Sequence, residues 1–538
     1  MKRIIGIALL AAAALYAIES AGAFGIANYK PHLQADYSGN VYTLAWTRLP
    51  YPAYYEIEVL RSPPPGSASP AQPAERVAVY HTWKNQMTFS RIYPFRTYWR
   101  VSAHGLFRQP LGRYSNYLNL AKTLGISLEN FHRLKPAATC QFPANAPAAD
   151  KPMLTWTVVP GAVYYEIEFL DAPPENPNAT EPSERRVAAS REVFTNGYQA
   201  DLSDYPGDCI YWRVRALDYD GNPLGVFSDA QETYLDHQQH LPARPLISVE
   251  FNREGMATPL YPAYSWIPIH GAAEYEVEVL DHPPENPNGT TPSAHRIWST
   301  RVTGFACYDE EPRGTPGTYY WRVIGLDASG EPVGTYSDTG RFVVDLSKGS
   351  YAATFGDSIT HGGGAVSYSP ADWEYSFQTY LSFPAANLGK SGDTSETMAE
   401  RFERDVLPFH PRYLLIMGGT NSLRGGVPAN KVIEDLAAIR DKCLANDIRP
   451  IFLTLPPIKP AAIWKVFSEE TSPHWRREFE AVNAFIRQQP YYIDLAPYLS
   501  DPDNELPDYY ATDGLHPDIP GKKLMAQLIN ANWTNVTR

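Results

Sequence analysis

"YAATFGDSITHGGG", residues 351–364, passes from a short apolar run through a serine turn into consecutive glycines. An apolar run of this length, bounded by small turn residues, reads as a buried strand. Further runs of the same kind follow it: "YLLIM" at 413–417, "RPIFLTL" at 449–455 and "YYIDL" at 491–495. Unlike half-exposed strands they do not alternate, which is the pattern of parallel strands covered on both faces. Between them "ADWEYSFQTYL" (371–381), "TSETMAERFERDV" (394–406), "PANKVIEDLAAIRDKCLAND" (428–447) and "PHWRREFEAVNAFIRQQ" (473–489) carry helical spacing, with Pro428 near the start of the third. "DIPGKKLMAQLINANW" (518–533) predicts a closing helix. Strands alternating with helices imply a doubly wound α/β domain, placed here over residues 347–538.

In such sheets ligands sit beyond the carboxyl ends of the strands. The unusual residues of this region fall there. Gly356-Asp357-Ser358 follows the first strand, "NLGKSGDTS" (387–395) follows the apolar stretch around Phe383–Ala386, and Gly418-Gly419-Thr420-Asn421 follows "YLLIM". "TDGLHPDIPG" (512–521) leads into the last helix. Together they supply the parts of acyl-transfer chemistry. A serine hydroxyl is a poor nucleophile unless a base takes its proton. His516 is the candidate base for Ser358, and Asp513 is the candidate that holds the far ring nitrogen and stabilises the imidazolium. An oxyanion needs donors fixed in advance, and the backbone N–H groups of Ser358 and Gly392 with the side-chain amide of Asn421 would supply them. Asp357 is expected to brace the turn, and His361 to pack or hydrogen-bond locally rather than act as a second base.

With these residues in order, the domain resembles the SGNH (GDSL-type) hydrolases over about residues 347–538. Ser358, Gly392, Asn421 and His516 match the residues that name that family, and Asp513 matches its "DxxH" partner. "GGTNS" departs from many relatives by carrying Ser422 where they have aspartate, which puts the bracing of that loop in question. The resemblance implies an ester hydrolase, in a family that includes carbohydrate acetylesterases, lipases, thioesterases and acyltransferases.

Upstream the pattern changes. "LAWTRLPYPAYYEIEVL" near Trp46 returns as "LTWTVVPGAVYYEIEFL" near Trp156 and "YSWIPIHGAAEYEVEVL" near Trp266, a period of about 110 residues. Each copy is followed by a second signature, "TYWRVSAHG", "IYWRVRALDYDGNPLG" or "YYWRVIGLDASGEPVG", containing Trp99, Trp212 and Trp321. Apolar and polar residues alternate in both, as in half-buried strands, and the tryptophans fall on the core side. Repeats this long with many short strands imply a β-sandwich each, and the pattern resembles fibronectin type III modules over roughly 28–346. The boundaries read as 24–132, 133–240 and 241–346, the first copy departing most, with "PPPGSASPAQP" where the others carry "PPENPN". That shared loop is expected to be inherited with the module, and its Asn178 and Asn288 sequons matter only in a cell that glycosylates exported chains.

Residues 1–23 open with Met1-Lys2-Arg3, continue through an apolar centre and end at Ala21-Gly22-Ala23, the pattern of a cleaved secretory signal. The remaining chain is expected to be exported to the periplasm, envelope or medium, with no membrane-spanning segment. Export permits disulfides, and Cys140 with Cys209 could close a loop within one repeat, whereas Cys443 falls on the apolar face of its helix with Val432, Leu436 and Ile439. A formal net charge of −13 argues against a sequence-independent grip on nucleic acid. Hydrolysis needs only water, and with neither a phosphate loop nor metal-ligand spacing no cofactor or metal is expected.

The absence of a long apolar lid segment disfavours a lipase. Export and small residues around Ser358 favour a short acyl group, acetyl foremost, on a carbohydrate, with the β-modules as a spacer or envelope dock. Trp464, in the expected loop after "RPIFLTL", and Tyr509 and Tyr510 of "DNELPDYY" are the candidates for substrate contact. The same acyl-enzyme passing its acyl group to a sugar hydroxyl would make an acyltransferase. An inert α/β domain in a binding scaffold would have no physical need for Ser358, Gly392, Asn421, Asp513 and His516 together.

Overall fold

The computed structural model describes residues 29–38, 41–49, 54–60, 76–89, 98–105, 108–119, 135–247, 257–364, 368–501 and 503–538. The expected signal segment 1–23 and the "PPPGSASPAQP" loop lie outside them. The chain divides into two compact units, one of Met1–Asn130 with Ser500–Glu505, the other of Phe131–Leu499 with Leu506–Arg538. Ser358, Gly392, Asn421, Asp513 and His516 all belong to the second.

Within that unit lies a parallel sheet of β1 (Ala352–Gly356), β2 (Ala386–Asn387), β3 (Tyr413–Met417), β4 (Arg449–Leu453) and β5 (Tyr492–Ile493), in the order β2-β1-β3-β4-β5. Sequence order reverses between β1 and β3, and a doubly wound sheet opens a crevice at that switch point. β1 and β3 are buried along their whole length, as their unbroken apolar sequences require. Gly356 ends β1 because a Cβ there would run into the Met417 carbonyl and the Thr360 side chain. The helices are α1 (Ser358–His361), α2 (Ser395–Asp405), α3 (Thr420–Arg424), α4 (Ala429–Ala445), α5 (Pro460–Phe467), α6 (Trp475–Arg487) and α7 (Ile519–Thr537).

Two local expectations are corrected. Residues 371–381 form two 3-10 turns, Trp373–Tyr375 and Phe377–Tyr380, separated by an extended Ser376 (φ −114°, ψ 122°). Aromatic, serine and threonine residues there are weak helix formers, and tertiary packing decides their shape. The expected loop around Trp464 is α5, begun by Pro460 in its first turn and ended by a left-handed Ser468 (φ 55°).

The repeats are rich in antiparallel strands. In the first, Leu33–Ser38, Val41–Trp46 and Gln86–Phe89 form one sheet, and Tyr54–Leu60 pairs with Arg76–Thr82 and Tyr98–His104 in another. The second repeat centres on Tyr164–Leu170 beside Cys209–Leu217, the third on Glu274–Leu280 beside Gly317–Leu326. Register is the same in all three: Val59 faces Trp99, Phe169 faces Trp212 and Val279 faces Trp321. Since neighbouring residues point to opposite faces, the register that buries each tryptophan also pairs Glu58 with Arg100, Glu168 with Arg213 and Glu278 with Arg322. These pairs are fully buried, at 2.7, 2.6 and 2.7 Å. A ring lies over each guanidinium, Tyr114, Phe227 and Tyr336 at 3.8, 4.3 and 3.9 Å.

The shared loop has a structural reason. Arg213 donates to the Asn176 carbonyl and side-chain oxygens, both at 2.9 Å, and Arg322 treats Asn286 in the same way at 2.8 and 2.9 Å. The "PPENPN" segment therefore closes over the buried cation. Asn178 and Asn288, both with left-handed backbones, spend their side-chain amides on the segment ahead of the module's last strand, including the carbonyls of Phe227 and Tyr336.

The second repeat does not close its core on itself. Tyr368, Tyr375 and Ile519 of the α/β domain share one apolar cluster with Trp156, Tyr165 and Trp212. The Tyr165 hydroxyl also meets that of Tyr368 at 2.6 Å. All four cysteines carry free thiols, so the Cys140–Cys209 disulfide is absent: the Cys140 thiol meets the Thr155 backbone and the Cys209 thiol faces Glu232. Cys443 is buried in the core, and burial pushes its thiol up to about 12. No helix among the described residues is long and apolar enough to cross a membrane.

Candidate active site

Ser358 opens α1 directly after β1. Its neighbour Asp357 caps the helix, accepting from Ile359 N–H at 3.0 Å, so the serine is held at the sheet edge by the turn that ends the strand. His516 reaches the same point from the loop before α7. The Ser358 hydroxyl lies 2.9 Å from His516 Nε2, and His516 Nδ1 lies 2.7 Å from Asp513 Oδ2.

Asp513 is fully buried and fixed by its own loop. Its other oxygen accepts from the N–H groups of Leu515 and His516 at 2.8 and 2.7 Å. An ionised aspartate can only accept, so it sets the proton on Nδ1 and leaves Nε2 to accept from the serine. The arrangement can take the hydroxyl proton of Ser358 and hold the imidazolium that results.

Gly392 and Asn421 come to the same edge after β2 and β3. Gly392 has φ +84°, and a Cβ built on it would meet nothing within 4 Å. Glycine is therefore needed for the left-handed backbone, with open space in front of it. Among the described residues neither the Ser358 nor the Gly392 N–H has a protein acceptor. Asn421 Nδ2 donates to the Asp393 carbonyl at 2.9 Å, which leaves its second amide hydrogen.

Ser422 takes up the bracing that its position raised. Its hydroxyl accepts from Ser395 N–H at 3.0 Å, and the Ser395 hydroxyl donates to Asp435 at 2.7 Å. A carboxylate thus supports the loop from α4 through a pair of serines. Arg401, on the buried face of α2 with Met398, Phe402 and Asp405, reaches the Gly356 and Leu388 carbonyls at 3.1 and 2.9 Å and pairs with Asp393 at 2.5 Å. It ties the ends of β1 and β2 to the Gly392 loop. Sequence reading did not single it out, although an arginine at helical spacing among apolar residues is the signal that would have found it.

The expected substrate aromatics fare differently. Trp464 lies on α5, 56% exposed. Tyr510 is buried in the core, its ring tilted 50° against that of Tyr509 at 5.1 Å, so only Tyr509 of the two keeps a partly open ring. The ring beside the histidine is Phe467, at the end of α5, 6.1 Å from His516 edge to face and 37% exposed. The second repeat supports α5 from outside. The Tyr219 hydroxyl donates to the Lys465 carbonyl at 3.0 Å, and Asp220 pairs with the Lys465 ammonium.

Beneath the serine lies a group of buried charges. Lys522 donates to the Ile359 carbonyl at 2.7 Å, and burial pushes its ammonium down to about 7. Burial, joined by the charge of Asp513, pushes Asp518 up to about 7. Burial likewise raises Asp357 to about 6, and its second oxygen has no partner. A cavity of about 540 Å³ lined by Trp373, Gln378 and Phe383 contains none of the Ser358, His516 or Asp513 side chains.

Residues 354–524 match the GDSL-like lipase/acylhydrolase family. This segment is a domain of that family. No curated protein matches the chain. Among solved structures, a GDSL-like lipase from Bacteroides thetaiotaomicron is 22% identical with a TM-score of 0.28, the match covering 34% of this chain and 87% of that one. A lipase/acylhydrolase from Enterococcus faecalis is 23% identical with a TM-score of 0.28, covering 34% and 94%. A catalytic mutant of an acetylxylan esterase from Geobacillus stearothermophilus is 19% identical with a TM-score of 0.27, covering 34% and 93%.

Proposed function

We propose that this protein is an exported serine esterase that removes short acyl groups, acetyl foremost, from a carbohydrate. The observation that carries the reading is the Ser358–His516–Asp513 chain, at 2.9 and 2.7 Å, at the switch point of a GDSL-type domain. Ser358 attacks the ester carbonyl while His516 Nε2 takes its proton. The N–H groups of Ser358 and Gly392 and the free amide hydrogen of Asn421 receive the oxyanion, each donor being worth about 100- to 1,000-fold in rate. The imidazolium, steadied by Asp513, protonates the leaving sugar oxygen. Water activated by the same histidine then releases the acid from Ser358.

The domain organisation belongs to the same proposal. Residues 1–23 act as a cleaved signal, 24–132, 133–240 and 241–346 form fibronectin type III-like modules, and 347–538 forms the hydrolase. The shared strand register and the repeated glutamate–arginine pair support equivalence of the three modules. Exposed rings at Trp464, Phe467 and Tyr219, on or against α5, support a sugar as the alcohol part of the ester, since pyranose faces pack on aromatic rings.

The test is release of p-nitrophenol from acetyl through octanoyl esters by the wild type and Ser358→Ala, followed by acetate release from acetylated polysaccharides. Activity that declines with chain length and disappears in Ser358→Ala is expected. Wild-type protein that turns over no ester overturns the hydrolase reading. Acetate release that appears only with an added sugar acceptor replaces it with acyl transfer.

A further inference from the structure

His361 ends the nucleophile helix and is 1% exposed, yet its ring bonds to neither neighbour in sequence. Nε2 lies 2.6 Å from the carbonyl of Tyr261, which belongs to the third repeat. Nδ1 lies 3.1 Å from the Ser391 N–H and 2.9 Å from the Ser391 hydroxyl. A carbonyl only accepts, so the ring proton sits on Nε2 and Nδ1 is left to accept from both groups of Ser391. Burial pushes this imidazole down to about 4, which keeps it neutral at ordinary pH.

Ser391 immediately precedes Gly392. The ring is therefore a bridge: one side is fixed by the third repeat, the other holds the peptide next to the oxyanion donor. A second tie from the same segment runs parallel to it, Leu260 N–H donating to the Asn387 carbonyl at 2.9 Å. Asn387 in turn donates to the His361 carbonyl at 2.7 Å and accepts from Gly389 N–H at 3.0 Å. The Tyr308 ring of the third repeat stands edge-on to His361 at 5.8 Å. Gly389 packs against the His361 backbone so closely that a Cβ would collide with it. The nucleophile turn, the strand-end 387–392 and the Leu260–Tyr261 segment thus form one hydrogen-bonded seam.

We propose that His361 is a positioning residue through which the Leu260–Tyr261 segment of the third repeat fixes the Ser391–Gly392 backbone for oxyanion binding. This rests on the esterase reading of Ser358. The repeats in this unit would then be part of the catalytic scaffold. A donor must be aimed before the charge develops, since stabilisation that needs reorganisation at that moment is lost.

Two substitutions in the full-length chain separate the ends of the bridge. His361→Gln can still reach the Tyr261 carbonyl but has no acceptor at the Nδ1 place. His361→Asn keeps an oxygen there but no longer reaches the Tyr261 carbonyl. On p-nitrophenyl acetate, His361→Gln and His361→Asn, each of which cuts one end of the bridge, are both expected to lower kcat about 10- to 100-fold with KM changed less than about twofold and Tm nearly unchanged; wild-type kcat in His361→Asn overturns the proposal, because the Tyr261 end would then not be needed. Hydrogen exchange of the peptide spanning 386–394 should quicken in both variants. Unchanged kcat and exchange in His361→Gln overturn the proposal. Equal losses in both variants with a matching fall in Tm also overturn it, because that is a packing role. If wild-type protein hydrolyses no ester, the esterase reading fails, and the exchange arm alone decides whether His361 holds the loop.

Discussion

Glu168 and Arg213 are as deeply buried as Asp357 and Lys522, yet the two regions handle their charge in opposite ways. In the second repeat the glutamate meets two arginines, Arg213 at 2.6 Å and Arg186 at its other oxygen. The Arg213 guanidinium is closed by Asn176 and covered by Phe227. Each group has its opposite, and the motif recurs wherever the strand register recurs. Beneath Ser358 the count does not balance: Asp357, Asp513 and Asp518 surround one lysine, and Asp357 keeps an oxygen with no partner. Charge that only supports a fold is matched locally. The carboxylates below the serine turn outnumber the one ammonium, and burial leaves Asp357, Asp518 and Lys522 near their switching points.

The sharpest way to break this contrast is at Asp513. Asp513→Asn keeps the shape but can present a donor to His516 Nδ1, favouring the wrong tautomer. kcat should fall about 10⁴-fold, measured on p-nitrophenyl acetate, with the thermal midpoint nearly unchanged. The matched pair should behave in reverse. Arg213→Met leaves a buried carboxylate short of its main partner, a change that costs about 3–5 kcal/mol. Because Tyr368, Tyr375 and Ile519 share that repeat's core, esterase activity should be lost at a lower temperature. Arg100→Met, the equivalent change in the first unit, should leave the inactivation temperature of the esterase where it was. Equal effects of the two arginine variants would show that the shared core does not couple the second repeat to the site.

The unbalanced cluster predicts a pH signature. Asp518, raised by burial from 3.8 to about 7, holds a proton in the folded state that the unfolded chain has released between those values. Its contribution to stability is therefore largest at the acid end and is lost as pH rises through 7. Lys522, lowered by burial from 10.5 to about 7, binds fewer protons folded than unfolded between those values, so stability recovers as pH rises from 7 toward 10.5. Asp518→Asn should flatten the fall between pH 4 and 7 and raise Tm at pH 7.5 by about 2–4 °C, read by differential scanning calorimetry. A parallel pH profile in wild type and variant would exclude the cluster as its source.

What was legible in the sequence follows from locality. Ser358, Gly392 and Asn421 could be placed because each stands just after an apolar run, and in a parallel sheet those ends share an edge. Asp513 and His516 lie three residues apart on one loop, so their contact needed no tertiary knowledge. The buried tryptophans followed from alternation alone. Contacts made across the chain left no such trace. Tyr261 lies a hundred residues before His361, and Tyr375 sits in a stretch that reads as a helix of the α/β domain, so nothing local marked it or Tyr368 as part of the second repeat's core. α5 was hidden because the stretch after "RPIFLTL" read as a loop, although Pro460 starts the helix. Phe467 was missed with it, and attention fell on Trp464.

The smallest expected effect concerns that helix, where the second repeat reaches the catalytic domain. The Phe467 ring stands edge to face against His516, while Tyr219 supports α5 and Trp464 stands mostly in solvent. For p-nitrophenyl acetate, which carries no sugar, Trp464→Ala and Tyr219→Ala should change kcat/KM less than about twofold, the range of ordinary surface substitutions. On an acetylated polysaccharide each lost ring should cost about 0.5–1.5 kcal/mol, roughly a 2- to 10-fold rise in KM, with kcat unchanged. Phe467→Ala should weaken both substrates, because it also loosens the packing of His516. If Trp464→Ala and Tyr219→Ala leave polymer KM unchanged while Phe467→Ala does not, the alcohol site is confined to the histidine side of α5, and the second repeat acts on the site through its shared core.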